Sequence, residues 1–168
     1  PKTTDDSFEC WGRKIQLGGK GLIRSMTSQN HELLSAPVSL KWNGRILDFR
    51  ATVQKKGAGF TDYKLVPGDG SVPVEVFVRA EFDGLLWFTL SLLPDVREKL
   101  ESLSLEIPLN RTNITGFDDG SSIMEKKDLK NMRDGSFHVN PVEKPFFWCG
   151  GDEVGLMGGS SSRRGWYL

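Results

Sequence analysis

The fold class this sequence predicts is an all-β, antiparallel β-sandwich, supersandwich-like, with few short helices, and three observations predict it. Apolar and polar residues alternate with a period of two in several short stretches, as they do along half-buried strands. Nineteen glycines and eight prolines are spread through the chain and cut those stretches short, which leaves little room for long helices. Two dipeptides with hairpin chemistry, Asn43-Gly44 and Asp83-Gly84, each separate a pair of alternating stretches.

The clearest unit runs from Val72 to Leu93. Val74, Val76, Val78, Ala80 and Phe82 fall on one face, with Glu75, Arg79 and Glu81 on the other. Asp83-Gly84 supplies the positive-φ positions of a type I′ turn. The return strand places Leu86, Phe88, Leu90 and Leu92 on one face and Trp87, Thr89 and Ser91 opposite, until Pro94 stops it. A second hairpin joins Val38-Ser39-Leu40-Lys41-Trp42 to Arg45-Ile46-Leu47-Asp48-Phe49 through Asn43-Gly44. Ser102 to Leu109 repeats the pattern, with Leu103, Leu105 and Ile107 inward and Pro108 marking a strand end or an edge. Pro94-Asp95 is placed to open a short helix through Val96 and Leu100, and Met124 to Met132 carries the charges of an exposed helical turn or two. Gly116 to Asn140, rich in Gly, Asp, Ser and Lys, reads as a long surface connection. Short strands with turns between them and no regular helix alternation make a sandwich. At 168 residues the whole chain, 1–168, reads as one domain, and a chain of this size buries about two-thirds of its unfolded surface.

Charge excludes one class of partner. Twenty-two basic residues balance 22 acidic ones, so no global field draws in a polyanion, and nucleic acid is not an expected partner. The longest apolar run, Leu85 to Leu93, contains Thr89 and Ser91 and falls far short of the ~20 residues of a membrane helix, so no membrane span is expected. Pro1 is not preceded by the charged and apolar regions of an export signal, which reads as a segment removed or not included. Cys10 and Cys149 lie near opposite ends beside Trp11 and Trp148. Two readings stand open: a bridge closing nearly the whole chain, which contributes ~4 to 5 kcal/mol in the chain-entropy model, or two unpaired buried thiols.

No complete catalytic site emerges. Gly158-Gly159-Ser160-Ser161-Ser162 lacks the spacing of a nucleophile elbow, and Gly18-Gly19-Lys20-Gly21 has neither the upstream glycine nor the Ser or Thr of a phosphate loop, so both read as turns. His31 and His138 stand far apart with no second ligand at a zinc spacing. Asp118-Asp119-Gly120 and Gly151-Asp152-Glu153 are oxygen-rich turns of a kind that suits calcium, and an ordinary Asx turn explains them equally well. No metal and no cofactor is therefore expected. Asn110-Arg111-Thr112 and Asn113-Ile114-Thr115 fit the glycosylation sequon, which has meaning only in a eukaryotic secreted protein. Of the five tryptophans, Trp11, Trp42 and Trp87 read first as core or interface rings. Trp148 and Trp166 flank a Gly-rich segment and are the stronger candidates for stacking on sugar.

The end of the chain carries a resemblance. Phe146-Phe147-Trp148-Cys149-Gly150-Gly151-Asp152-Glu153-Val154-Gly155-Leu156 followed by Arg164-Gly165-Trp166 resembles a motif of the N-terminal β-sandwich domain of glycoside hydrolase family 123-like proteins. Trp11-Gly12-Arg13, Gly21-Leu22, Leu33-Leu34-Ser35-Ala36-Pro37-Val38, Glu81-Phe82-Asp83-Gly84-Leu85 and Leu103-Ser104-Leu105-Glu106-Ile107-Pro108-Leu109 agree in order. The resemblance implies a bacterial, exported multidomain hydrolase, periplasmic or secreted. In it this sandwich precedes a (β/α)8 catalytic barrel of the same polypeptide, and another β domain follows. It implies β-N-acetylgalactosaminidase-like chemistry on glycans. The sugar's acetamido oxygen attacks the anomeric carbon, one carboxylate orients it, and an adjacent carboxylic acid protonates the leaving oxygen.

Asp152-Glu153 is itself an adjacent Asp-Glu pair, but it lies inside the sandwich motif whereas the family's pair belongs to the barrel, which needs ~200 residues or more. Catalytic residues are therefore expected to be absent from this chain. Trp148, Asp152, Glu153 and Trp166 are expected instead to contact substrate or to form a domain interface. The stretch Met157-Gly158-Gly159-Ser160-Ser161-Ser162 departs from the aromatic and acidic residues expected after Leu156. The leading expectation is a non-catalytic accessory domain packing on the barrel; the alternatives are a carbohydrate-binding module and a structural or adhesive sandwich. An exposed apolar patch around Trp148, Val154, Leu156 and Trp166 would mark the interface.

Overall fold

The computed structural model describes residues 1–68, 70, 72–94, 99–118, 123–124 and 146–160. The chain divides into two compact units, Pro1–Leu109 and Asn110–Leu168. The described residues are all-β and hold no helix, in keeping with the predicted antiparallel sandwich.

In the first unit, β1 (Lys2–Thr3), β2 (Ser7–Cys10), β3 (Arg13–Leu17), β4 (Ile23–Ser28) and β5 (His31–Glu32) form a five-stranded meander in sequence order. Next come β6 (Ser39–Trp42) and β7 (Arg45–Ile46), then β8 (Phe49–Lys56), β9 (Phe60–Pro67), β10 (Val74–Glu81) and β11 (Leu86–Leu92), which make a four-stranded meander. β12 (Leu103–Glu106) pairs with β6, giving a three-stranded sheet in the order β12-β6-β7. Isolated bridges stitch the sheets together at Gly19 with Phe49, Ile23 with Val38 and Leu34 with Leu109. At one of these crossings Gly21 has φ +154, and a Cβ there would lie 2.2 Å from the carbonyl oxygen of Val38. Only glycine fits, and the Gly18 to Gly21 stretch is the turn its sequence suggested.

Alternation decides which residues form the core. Phe8, Ile15, Leu17 and Met26 of the first sheet are buried with Tyr63, Leu65, Val74, Val76, Val78 and Ala80 of the four-stranded sheet. The Tyr63 hydroxyl donates to the carbonyl of Ser7 at 2.7 Å, tying the two sheets across the core. That hydroxyl's pKa is raised, chiefly by burial, so it stays a donor. Trp42 is fully buried on β6, the core role expected of it.

Several expectations are corrected. Asn43-Gly44 makes its predicted turn, with φ of 49° and 78°. The Val72 to Leu93 hairpin instead has a three-residue loop: Gly84 N–H donates to Glu81 C=O, Glu81 N–H donates to Leu85 C=O, and Gly84 alone of the loop has positive φ. This is a type I turn closed by a glycine bulge. Phe82 therefore leaves the inner face for the loop and is exposed. On β11 the alternation holds, because Leu86, Phe88, Leu90 and Leu92 stand opposite Ala80, Val78, Val76 and Val74. Phe88, Leu90 and Leu92 are nevertheless exposed, since among the described residues β11 has a neighbour on one side only; Leu105 on β12 is exposed for the same reason. Trp11 and Trp87, read first as core or interface rings, are both surface residues, at 70% and 49% exposure.

The second unit holds β13 (Gly116–Asp118), β14 (Ile123–Met124), β15 (Phe146–Gly150) and β16 (Gly155–Gly159), a sheet in the order β14-β13-β15-β16. Two of these strands fall inside the segment read as a surface connection, a correction with a clear cause. Gly116-Phe117-Asp118 is too short to show a period, and its strand character comes from pairing with β15. Residues 95–98, 119–122 and 125–145, where the short helices, Asp119, Gly120 and most of the connection were expected, lie outside the described residues, as do His138, Ser161, Ser162, Arg164 and Trp166.

Candidate functional site

The β15–β16 hairpin brings three of the four expected site residues together. Strand pairing sets Trp148 opposite Met157, Cys149 opposite Leu156 and Gly150 opposite Gly155. Asp152 and Glu153 form the tip, closed by a hydrogen bond from the Gly151 N–H to the Val154 carbonyl at 2.8 Å. Trp148, Asp152 and Glu153 are all exposed. Trp166, the fourth, lies outside the described residues.

Glycines at fixed places make this hairpin. A Cβ on Gly150 would come within 2.3 Å of the Trp148 ring and one on Gly155 within 3.1 Å of its Nε1, so the indole rests over this cross-strand glycine pair. On the opposite face a Cβ on Gly158 would meet the Phe147 ring at 2.5 Å. The two rings fill what the glycines leave, one on each face. Gly151 is constrained by backbone instead: a Cβ there would lie 2.3 Å from the Asn113 carbonyl oxygen. The turn carrying Asn113 is fixed in turn by a bond from the Thr115 N–H to the Gly150 carbonyl.

The two faces differ. One buries Cys149 against Phe117, its cross-strand partner, and Phe117 stacks on Phe147 at 6.3 Å. Burial pushes the Cys149 thiol up to about 12, so it is protonated at neutral pH and is no nucleophile. Cys10 is also a free, buried thiol, raised above its ordinary value chiefly by burial. The other face is apolar and open, with Phe146 at 54%, Trp148 at 40% and Met157 at 73% exposure. Of the expected patch, Trp148 alone is exposed among the described residues. Val154 is buried under the tip and Leu156 is half-buried, while Phe146 and Met157 take their places.

An adjacent Asp-Glu pair at an open hairpin tip suits a turn. Among the described residues no three His, Cys, Asp or Glu side chains gather as metal ligands, and no helix is long and apolar enough to cross a membrane.

A second aromatic cluster escaped sequence reasoning. Trp11 occupies the β2–β3 turn with φ of 43°, unusual for a bulky residue, and packs edge-on against Phe82 at 5.6 Å. Arg13 Nη1 donates to the Asp83 carbonyl at 3.1 Å and joins the two hairpin tips. The signal available was Trp-Gly between two alternating stretches, a turn dipeptide with its first position filled by an aromatic ring.

These features define an antiparallel β domain whose aromatic side chains are displayed outward from hairpins and sheet faces. The family model described as glycoside hydrolase 123, third domain, matches residues 2–159, and the chain belongs to that family. The description gives the domain third place in the family, whereas the resemblance read from the sequence was to its N-terminal sandwich. No curated protein and no solved structure matches the chain.

Proposed function

We propose that this chain is a non-catalytic accessory domain of a β-N-acetylgalactosaminidase-like glycoside hydrolase, and that it docks on the catalytic barrel of the same polypeptide. The observation that carries this reading is the open face of the β15–β16 hairpin, where Phe146, Trp148 and Met157 project together. Solvent-facing rings and a methionine on one sheet face are the composition of an interface core. Trp148 is its anchor, held by the glycine pair beneath it, and Asp152 and Glu153 at the tip supply its polar rim. One family model spanning both compact units supports their acting as one domain, and its place in the parent chain follows the family's order. The parent is bacterial and exported, as the resemblance implies. The test expresses the remaining domains of the parent polypeptide separately and titrates them with this chain by calorimetry. A complex forms, and Trp148→Ala weakens it about tenfold or more, as loss of a central aromatic anchor does. Absence of a complex, or one indifferent to Trp148→Ala, overturns the proposal.

A further inference from the structure

The outer face of the four-stranded sheet has a composition that the docking role does not use. Strand register lays its side chains out as a grid. One row runs Lys55, Asp62, Arg79, Trp87, and the next runs Thr52, Lys64, Phe77, Thr89. Trp87 is 49% and Phe77 41% exposed, although an outward sheet face in water ordinarily carries polar residues. Between them Arg79 grips Asp62 through two parallel hydrogen bonds, Nε to Oδ1 at 2.8 Å and Nη2 to Oδ2 at 2.9 Å. Its guanidinium also lies over the Phe60 ring at 4.4 Å. Clamped from two sides, Arg79 is preorganised, and only two of its five N–H bonds are used by Asp62. A shallow depression of about 590 Å³ opens over this ground, lined by Gln54, Asp62, Phe77, Arg79, Trp87 and Thr89 among others.

We infer that this depression is a binding site for a neutral oligosaccharide. Pyranose rings have apolar faces that stack on aromatic side chains and hydroxyl edges that both donate and accept, and the grid offers both kinds of surface side by side. Phe77 and Trp87 are diagonal neighbours across two strands, about 7–8 Å apart at the backbone; the Lys64 ammonium lies over the Phe77 ring at 5.6 Å, so Trp87 is the ring that takes a sugar face and Phe77 flanks the next sugar of the chain. Arg79, Asp62, Gln54 and Thr89 offer donors and acceptors between them. Charge selects the occupant: Lys55, Lys64 and Arg79 are matched by Asp62, Glu75 and Glu81, and Lys64 already pairs with Glu75 at 2.6 Å. Charge balanced around the depression, with Arg50 the one further cation of the face among the described residues, at its far end, favours a neutral glycan over a polyanion. The site lies on the first unit and is independent of the docking hairpin, so either proposal can fail alone.

The experiment presents the 168-residue chain with cellohexaose, xylohexaose, N-acetylchitohexaose and an N-acetylgalactosamine-terminated tetrasaccharide, and follows the indole N–H resonances. At least one sugar binds and shifts the Trp87 resonance. Trp87→Ala weakens that binding about tenfold, the effect of one stacked ring. Arg79→Lys, which keeps the charge and removes the fork, also weakens it, while Ile46→Ala on a different sheet leaves it unchanged. Thermal melts of each variant separate lost binding from lost fold. Silence across all four sugars overturns the inference. So does binding that survives both Trp87→Ala and Arg79→Lys, or that disappears only with Trp148→Ala. Binding of an extended peptide alone to the β11 edge also contradicts it.

Discussion

The Trp148 indole rests against Gly150, two residues further along its own strand, so closely that a Cβ on that glycine would come within 2.3 Å of the ring. The ring is thus positioned by the absence of a side chain, and its far side faces solvent.

Gly150→Ala should therefore push the indole outward, and because the ring is partly exposed it can move. The cost should sit at the low end of the about 1–3 kcal/mol typical of overpacking. Gly151→Ala should cost more, because its Cβ meets the Asn113 carbonyl and backbone has to shift. Urea melts of the two variants, with tryptophan emission as the probe of ring exposure, check the order.

Core and edge leucines should separate widely. Leu65→Ala on β9, at 0% exposure, should lose about 2–5 kcal/mol of stability. Leu90→Ala on β11, which stays 38% exposed, should lose distinctly less, about 1 kcal/mol, since part of the side chain remains in water on folding. Denaturant midpoints measured on both variants test this directly.

The Arg79 hydrogen bonds beside Asp62 hold its carboxyl below the ordinary value of 3.8, and Arg24 does the same for Asp6. A depressed carboxylate stabilises the fold above its unfolded pKa, and that contribution is lost as pH falls through the folded value. Wild-type stability should therefore drop through the acid range below about pH 4. Asp62→Asn should be less stable than wild type at neutral pH and converge with it in strong acid. Melting temperature against pH for both proteins supplies the comparison. The pair is surface-exposed, so salt should shrink the difference.

Native Cys149 and Cys10 should resist a thiol reagent at pH 8 and both should react once the chain is unfolded without reductant, because both are free and buried. A count of no reactive thiols after unfolding would establish a bridge instead.

Patterning made the sandwich legible. Val74, Val76, Val78 and Ala80 alternate with charged or aromatic neighbours, and period two fixes which of them enters the core whatever the tertiary details. It does not say whether a strand lies at an edge. Leu90 and Leu105 read like core residues and are exposed because β11 and β12 each have one strand neighbour among the described residues, a property of topology that no local window contains. Turn chemistry was partly legible. Asn43-Gly44 behaved as its residues require, while at Asp83-Gly84 a third loop residue changed the turn and carried Phe82 outward. Of the candidate site, Trp148, Asp152 and Glu153 were found because they share one short hairpin. The outer-face grid was missed because Asp62, Arg79 and Trp87 come from three strands and meet only through register.

Methionine oxidation tests the central claim, that the open hairpin face docks on the rest of a glycoside hydrolase. Met157, at 73% exposure, should be oxidised rapidly by dilute peroxide in this chain. In the complete parent enzyme its oxidation should slow about tenfold or more if Phe146, Trp148 and Met157 are covered, as in a water-excluding interface core. Equal oxidation rates of Met157 in the two proteins would contradict the account.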